Sequence, residues 1–221
     1  MTSPSGTSAR GAVLSYIGLR RSVGIIGIGL PFVLAIGNLL LTGEGPRSSV
    51  SSYYYTGMRD VFVGSLCAVG VFLFCYRYEQ PDDRLGNLAG VAAIGVALFP
   101  TRPEGPASTA QAVVGWVHLA FAVVFFASLA WFCLLLFTRD DGTRTARKSA
   151  RNAVYRACGI VILACLALAV LNWLVVPVEL ARVLRPLFWL ESAAIVAFGV
   201  AWFVKGDTVL RDRPGLTPPA A

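Results

Sequence analysis

The sequence predicts an all-α fold: a polytopic membrane bundle of six transmembrane helices with both termini in the cytoplasm. Three observations predict it. Hydrophobic residues make up 56% of the chain and charged ones 14%, against roughly 25% charged in an ordinary soluble domain, and the mean hydropathy is +0.68. The apolar residues gather into six runs separated by short polar segments. Five of them approach or exceed the roughly 20 residues that a helix needs to cross the hydrocarbon core, and the third is short for a span. The basic residues, finally, are divided unevenly between alternate connecting segments.

The runs divide the chain into an N-terminal tail (residues 1–21), a membrane domain (22–204) and a C-terminal tail (205–221). Met1 to Arg10, rich in Ser, Thr and Gly, reads as a disordered tail. The first run, Ser22 to Leu41, contains Pro31, which is expected to kink it. It is too long for a signal-peptide core and lacks a following A-x-A pattern, so it is expected to be retained. Asp60 to Tyr76 forms the second run, and Gly86 to Phe99 the third and shortest. Gly86 and Gly90 stand in GxxxG spacing, continued by Ala93 and Ala97, so this helix should present a small face to its neighbours and lie inside the bundle. The last three runs are Ala112 to Phe137, Ala157 to Val176 and Leu187 to Val204.

Of the nineteen Lys and Arg residues, only Arg47, Arg59, Arg102, Arg182 and Arg185 fall in the segments on one side of this alternation; the other fourteen fall on the opposite side. The positive-inside rule puts that basic side, and both termini, in the cytoplasm. A net charge of +7 therefore reflects topology, and nucleic acid is not an expected partner. Membrane lipids are, and the basic stretch from Arg139 to Arg156 is read as a cytoplasmic topology determinant, with contact to anionic headgroups as the alternative. Tyr53, Tyr54 and Tyr55, in the outer segment SSYYYTG, suit an interfacial aromatic belt. The five cysteines lie in or beside apolar runs, which predicts free thiols. The first and fifth runs share a faint ungapped likeness, Asn38 matching Asn172.

Polar residues in or at the edges of the spans carry what functional information there is, because a charge or amide in hydrocarbon costs free energy unless paired or hydrated. Asn38, Asp60, His118, Asn172 and Glu191 all belong to the outer half. At about 1.5 Å per residue, His118 lies roughly 9 Å and Glu191 roughly 6 Å below the outer boundary. Carriers confined to one half do not make a proton path across the membrane; they suit a pocket opening outward, built on Asp60, His118 and Glu191, for a small polar ligand or lipid headgroup. Gln111, His118 and Phe125 share a helix face, which should look into the bundle. Structural roles compete: Asp60 as a helix cap, Arg59, Arg182 and Arg185 as interfacial charges reaching headgroups or pairing with Glu179, Asn38 and Asn172 as interhelical hydrogen bonders, and His118 paired with Glu191. No GxSxG, HExxH or phosphate loop is present, no lysine lies mid-membrane, and no cofactor is expected. Transport, binding, sensing and scaffolding stay open, as do lipid hydrolysis and the oligomeric state.

The stretch SSYYYTGMRDVFVGSLCAVGVFLFCYRYE, with NLAGVAAIGVALFPT and VHLAFAVVFF after it, resembles a group of small bacterial six-helix membrane proteins of unknown function. That group is loosely similar to the Frag/DRAM/Sfk-like proteins and distantly to alkaline-ceramidase-type membrane hydrolases. The resemblance implies the bacterial plasma membrane, and Ser52, Tyr54, Arg59, Asp60, Asn87, Pro100 and His118 as site candidates. The ceramidase type further implies a zinc site of three histidines with an Asp and a Ser. His118 is the one histidine here, so a metal would need Asp60 and Glu191 as substitute ligands.

Overall fold

The computed structural model describes residues 7–76, 82–139 and 146–206, and within them the chain is helical, without strands. Helix α1 spans Thr7–Thr42, and a 3-10 turn at Ser51–Tyr55 leads into α2, Arg59–Cys75. Helix α3 covers Asp82–Leu98; α4, Thr109–Trp131, ends in a wider π-type turn at Phe132–Leu136. Then follow α5, Ala146–Val175, a short α6, Val178–Leu184, and α7, Pro186–Lys205. Local chemistry explains several of these limits. Ser108 and Gln111 form a reciprocal capping box at the start of α4. Pro186 begins α7 at the position where its missing N–H costs nothing. A residue before proline avoids the right-handed helical region, and Arg185 ends α6 with φ 50 and ψ 47, in the left-handed region.

Each of the six runs is a helix, with three corrections to their limits. The N-terminal segment is already helical from Thr7, and α1 continues unbroken across the buried Pro31. The basic stretch after Arg139 is helical from Ala146, because its Ala, Arg and Lys are strong helix formers that extend the apolar run of α5 by three turns. Helix α6, whose VELARVL carries no apolar run, stood outside the six. The C-terminal tail lies beyond residue 206, outside the described residues.

The helices form a closed ring in the order α1, α2, α3, α4, α5, α7, each packed on its two neighbours. Glycines decide where backbones touch. A methyl on Gly199 would lie 2.9 Å from the Gly24 carbonyl oxygen, and one on Gly27 2.9 Å from the Gly199 Cα, so α1 and α7 meet main chain to main chain. Gly70 and Gly90 do the same for α2 and α3. The expected small face of α3 is buried at Gly86, Gly90, Ala93 and Ala97. Inside the ring, Trp202 of α7 stacks edge-on with Tyr76, Phe132, Phe137 and Phe198. The faint likeness of α1 and α5 is not matched by equivalent neighbours, since α5 packs extensively on α7 while α1 meets α2 over a short stretch.

Four helical stretches are long and apolar enough to cross a membrane: Ile17–Thr42, Thr109–Leu136, Ala146–Val175 and Pro186–Lys205. At 17 residues each, α2 and α3 reach about 25 Å, short of a hydrocarbon core of about 30 Å. The outside of the ring is apolar, with Leu40, Phe32, Ile160 and Leu174 among many exposed side chains. In water such a surface would aggregate; in lipid it is solvated. Trp116, Trp173 and Trp189 are exposed close to the same end of α4, α5 and α7, as an interfacial belt requires. The three tyrosines do not share that role. Successive residues of a 3-10 turn point about 120° apart. Tyr53 accordingly turns inward and is wholly buried, Tyr54 meets Arg59, and only Tyr55 is exposed.

Candidate functional site

Helices α4 and α5 touch where Gly159 lies against Leu134 and Cys133, and farther along, toward the Trp116 and Trp173 end, a cavity of about 300 Å³ separates them, with α7 behind it. It follows α4 from Ala112 to Phe126, about 21 Å of helix. Its chemistry changes along its length. Ser49, Thr101, Arg102, His118 and Glu191 line the end near the connecting loops, whereas Ala122, Val123, Phe126, Cys165, Leu166 and Ala194 line the deeper part. Trp116, Leu119 and Val123 of α4 and Trp173 of α5 border it and are also exposed on the outer surface, so the cleft opens sideways between the two helices.

Glu191 sits one turn into α7, and its Oε2 accepts hydrogen bonds from the Val50 N–H at 2.7 Å and the Ser51 N–H at 3.4 Å. The carboxylate thus caps the start of the 3-10 turn, where free N–H groups concentrate positive potential. His118, 5% exposed, lies 2.6 Å through Nδ1 from the carbonyl oxygen of Phe99, at the end of α3. A carbonyl only accepts, so Nδ1 carries the proton of this hydrogen bond. The two residues share the cavity, yet each is bonded to backbone and they are not paired with each other.

The remaining predicted residues do not converge. Asp60 is exposed in the first turn of α2 and lies outside the cavity. The expected triad is therefore reduced to His118 and Glu191: an N-terminal carboxylate is satisfied by the dipole of its own helix and has no reason to turn inward. Arg59 donates to the Tyr54 hydroxyl at 2.7 Å and lies 4.3 Å from its ring centroid. Asn38, buried, donates to the Glu44 carbonyl and closes the end of α1. Asn172 has a buried Oδ1 without a partner but lies outside the cavity lining. Ser52 is tied into the 3-10 turn through Ser49, and Asn87, near the start of α3, is twelve residues of helix away from the loop that holds Pro100. Among the described residues no three His, Cys, Asp or Glu side chains gather as metal ligands.

Sequence reasoning missed the wall of the site. Ser49, Thr101 and Arg102 belong to loops without a motif, and only the fold brings them beside α4 and α7. Those loops are held by Arg47, whose guanidinium meets Glu104 at 2.7 Å and Glu44 at 3.3 Å. Burial raises the Glu104 carboxyl, but hydrogen bonding to Ser48 and the Arg47 charge outweigh it and hold it below the ordinary carboxylate value. Burial pushes the Tyr53 hydroxyl up, against the pull of Arg47 and Arg185. Tyr55 donates to the Thr101 carbonyl at 2.7 Å.

Fold and cavity together define a helical-bundle protein with membrane-spanning helices and a side-opening cleft that is polar at one end. Comparison with family models, with curated proteins and with solved structures returns no match.

Proposed function

We propose that this is a six-span protein of the bacterial plasma membrane, with both termini cytoplasmic, that binds a membrane amphiphile by its headgroup in the outer cleft between α4 and α5. The observation that carries the reading is the change of chemistry along the cleft: polar groups at one end, apolar walls beyond, and a lateral opening bordered by lipid-facing residues. A small polar solute has no use for the apolar length; a lipid uses both parts. Arg102 supplies a cation and Glu191 a carboxyl group, which suits a zwitterionic or neutral headgroup, with the His118 ring beside them. Six spans are supported by the fourteen-to-five division of basic residues and by the place of α2 and α3 inside the ring, between α1 and α4.

The full chain, purified in mild detergent, is expected to retain about one amphiphile per protein, read by lipid extraction and native mass spectrometry. Ala122→Trp and Ala169→Trp place an indole in the cleft from either wall and should each remove most of it. A wild-type protein that retains none, or variants that retain it unchanged, would contradict the reading. Topology is tested separately, in cysteine-free protein carrying single cysteines. A label impermeant to membranes should reach Gly105→Cys in intact cells, and Glu79→Cys and Thr145→Cys only after permeabilisation. Labelling of position 79 from outside would remove α2 and α3 from the spans.

A further inference from the structure

The cleft between α4 and α5 is narrow for its length. A cavity of about 150 Å³ holds one benzene, so the 300 Å³ here holds about a dozen carbon atoms. Spread along about 21 Å of α4, that space takes them in single file. An alanine from each surrounding helix makes the room: Ala122 of α4, Ala169 of α5 and Ala194 of α7. Trp116 and Trp173 border the opening from α4 and α5 at the level of the polar groups. A lipid with two chains branches at that headgroup level, and its second chain would have to leave between the two indoles.

The polar end has two groups with capacity to spare. Oε2 of Glu191 is taken by the N–H groups of Val50 and Ser51, whereas Oε1 makes no hydrogen bond among the described residues. A hydroxyl both donates and accepts, so it pairs with Oε1 whether or not that oxygen carries a proton. Arg102 enters from a loop. Its main chain presses on α4 at Gly115, where a methyl would lie 3.1 Å from the Arg102 N, one turn before His118. The Arg102 guanidinium lines the cleft and makes no hydrogen bond or ion pair among the described residues, and a guanidinium fork matches phosphate oxygens. From the loop inward the cleft therefore offers a cation, a carboxyl oxygen and an apolar file one chain wide.

We propose that the guest of this cleft is a single-chain phospholipid, its chain in the apolar file, its phosphate toward Arg102, and its free hydroxyl, the one a second chain would esterify, on Oε1 of Glu191. The inference rests on the amphiphile reading above and narrows it. Width and hydrogen bonding select the same molecule independently: a second chain finds no room, and a lipid that carries one has no hydroxyl to offer.

The test uses delipidated full-length protein in amphipol, which keeps single-chain detergent out of the cleft. Three probes with one headgroup and one chain length are titrated below their critical concentrations: lauroyl-lysophosphatidylcholine, its O-methyl ether, in which the hydroxyl is capped, and dilauroylphosphatidylcholine. Native mass spectrometry and thermal unfolding read the binding. The lysolipid should bind about tenfold or more tighter than the two-chain lipid. It should bind about three- to tenfold tighter than its ether, the worth of one hydrogen bond. Ala122→Trp should abolish binding of all three, and in Glu191→Ala the preference over the ether should vanish while the preference over two chains persists. Should Glu191→Ala not fold, the wild-type ranking of the three probes carries the test. Equal binding of one- and two-chain lipids, both blocked by Ala122→Trp, leaves the amphiphile reading standing and overturns the single chain. A preference over the ether that survives in Glu191→Ala, or no preference in the wild type, overturns the hydroxyl contact. Failure of all three probes to bind overturns the inference and the reading beneath it together.

Discussion

The seam between α1 and α7 and the seam between α4 and α5 use the same device to different ends. Along the first, Gly24 and Gly27 face Gly199, and the main chains stay in contact. Along the second, Gly159 lets α5 close on Leu134 and Cys133, but toward the other end Leu119 and Val123 face Leu166 and Trp173 with a cavity between them. Small residues set where two helices close, and bulky ones set where they part. One seam is therefore a closed join in the ring, the other a wedge with space between its helices.

That contrast is broken most severely at the closed seam. Gly199→Leu leaves no room for its side chain beside the Gly24 carbonyl and is expected to prevent folding or cost well over 3 kcal/mol, with Gly199→Ala costing about 1–3 kcal/mol by overpacking. Thermal unfolding in detergent measures both. At the open seam, Ala122→Trp, a far larger insertion, should change stability by less than about 1 kcal/mol because space exists to receive it. Comparable losses at the two seams would show that the cleft is not open.

Glu191 is the next largest effect. Removing its carboxylate in Glu191→Ala strands the Val50 N–H and should cost about 1–3 kcal/mol, while Glu191→Gln keeps an acceptor oxygen and should cost about 1 kcal/mol or less. Equal losses would mean that the charge itself, rather than the hydrogen bonds, holds the turn.

The smallest effect belongs to Glu104. Its folded carboxyl titrates below the ordinary value, so its contribution is complete above that value and is lost as pH falls through the folded one. Arg47 and Glu104 remain partly exposed, which limits the pair to a few tenths of a kcal/mol. The stability gap between wild type and Glu104→Gln should hold from pH 7 down to about 4, the ordinary carboxylate value, and narrow on further acidification. A gap that widens would reverse the sign assigned here.

Helix identity was legible from apolar runs because a bilayer demands length and hydrophobicity in one stretch. The small face of α3 was legible too, since Gly86, Gly90, Ala93 and Ala97 repeat with the helix. Depth and rarity of polar residues pointed to His118 and Glu191, which both line the cleft between α4 and α5. Their partners were not legible. Phe99, Val50 and Ser51 offer only backbone groups, and no side-chain pattern announces a carbonyl at a helix end or an N–H at a turn. Asp60, read both as a helix-start carboxylate and as a pocket residue, stands in the first turn of α2 and outside the cavity, the position of the first of those roles. The basic face of α5 was visible as a charge run, but Arg20 and Lys205 join it only through the ring closure of α1 on α7.

The central claim, that the wedge between α4 and α5 holds an amphiphile, is tested most directly by a density map of the full chain in lipid nanodiscs. The account predicts elongated density between α4 and α5, its polar end beside His118, Glu191 and Arg102 and its apolar end running past Ala122 and Leu166. Side chains closing the cleft from Leu119 to Trp173, or density only of isolated waters within it, would contradict the account.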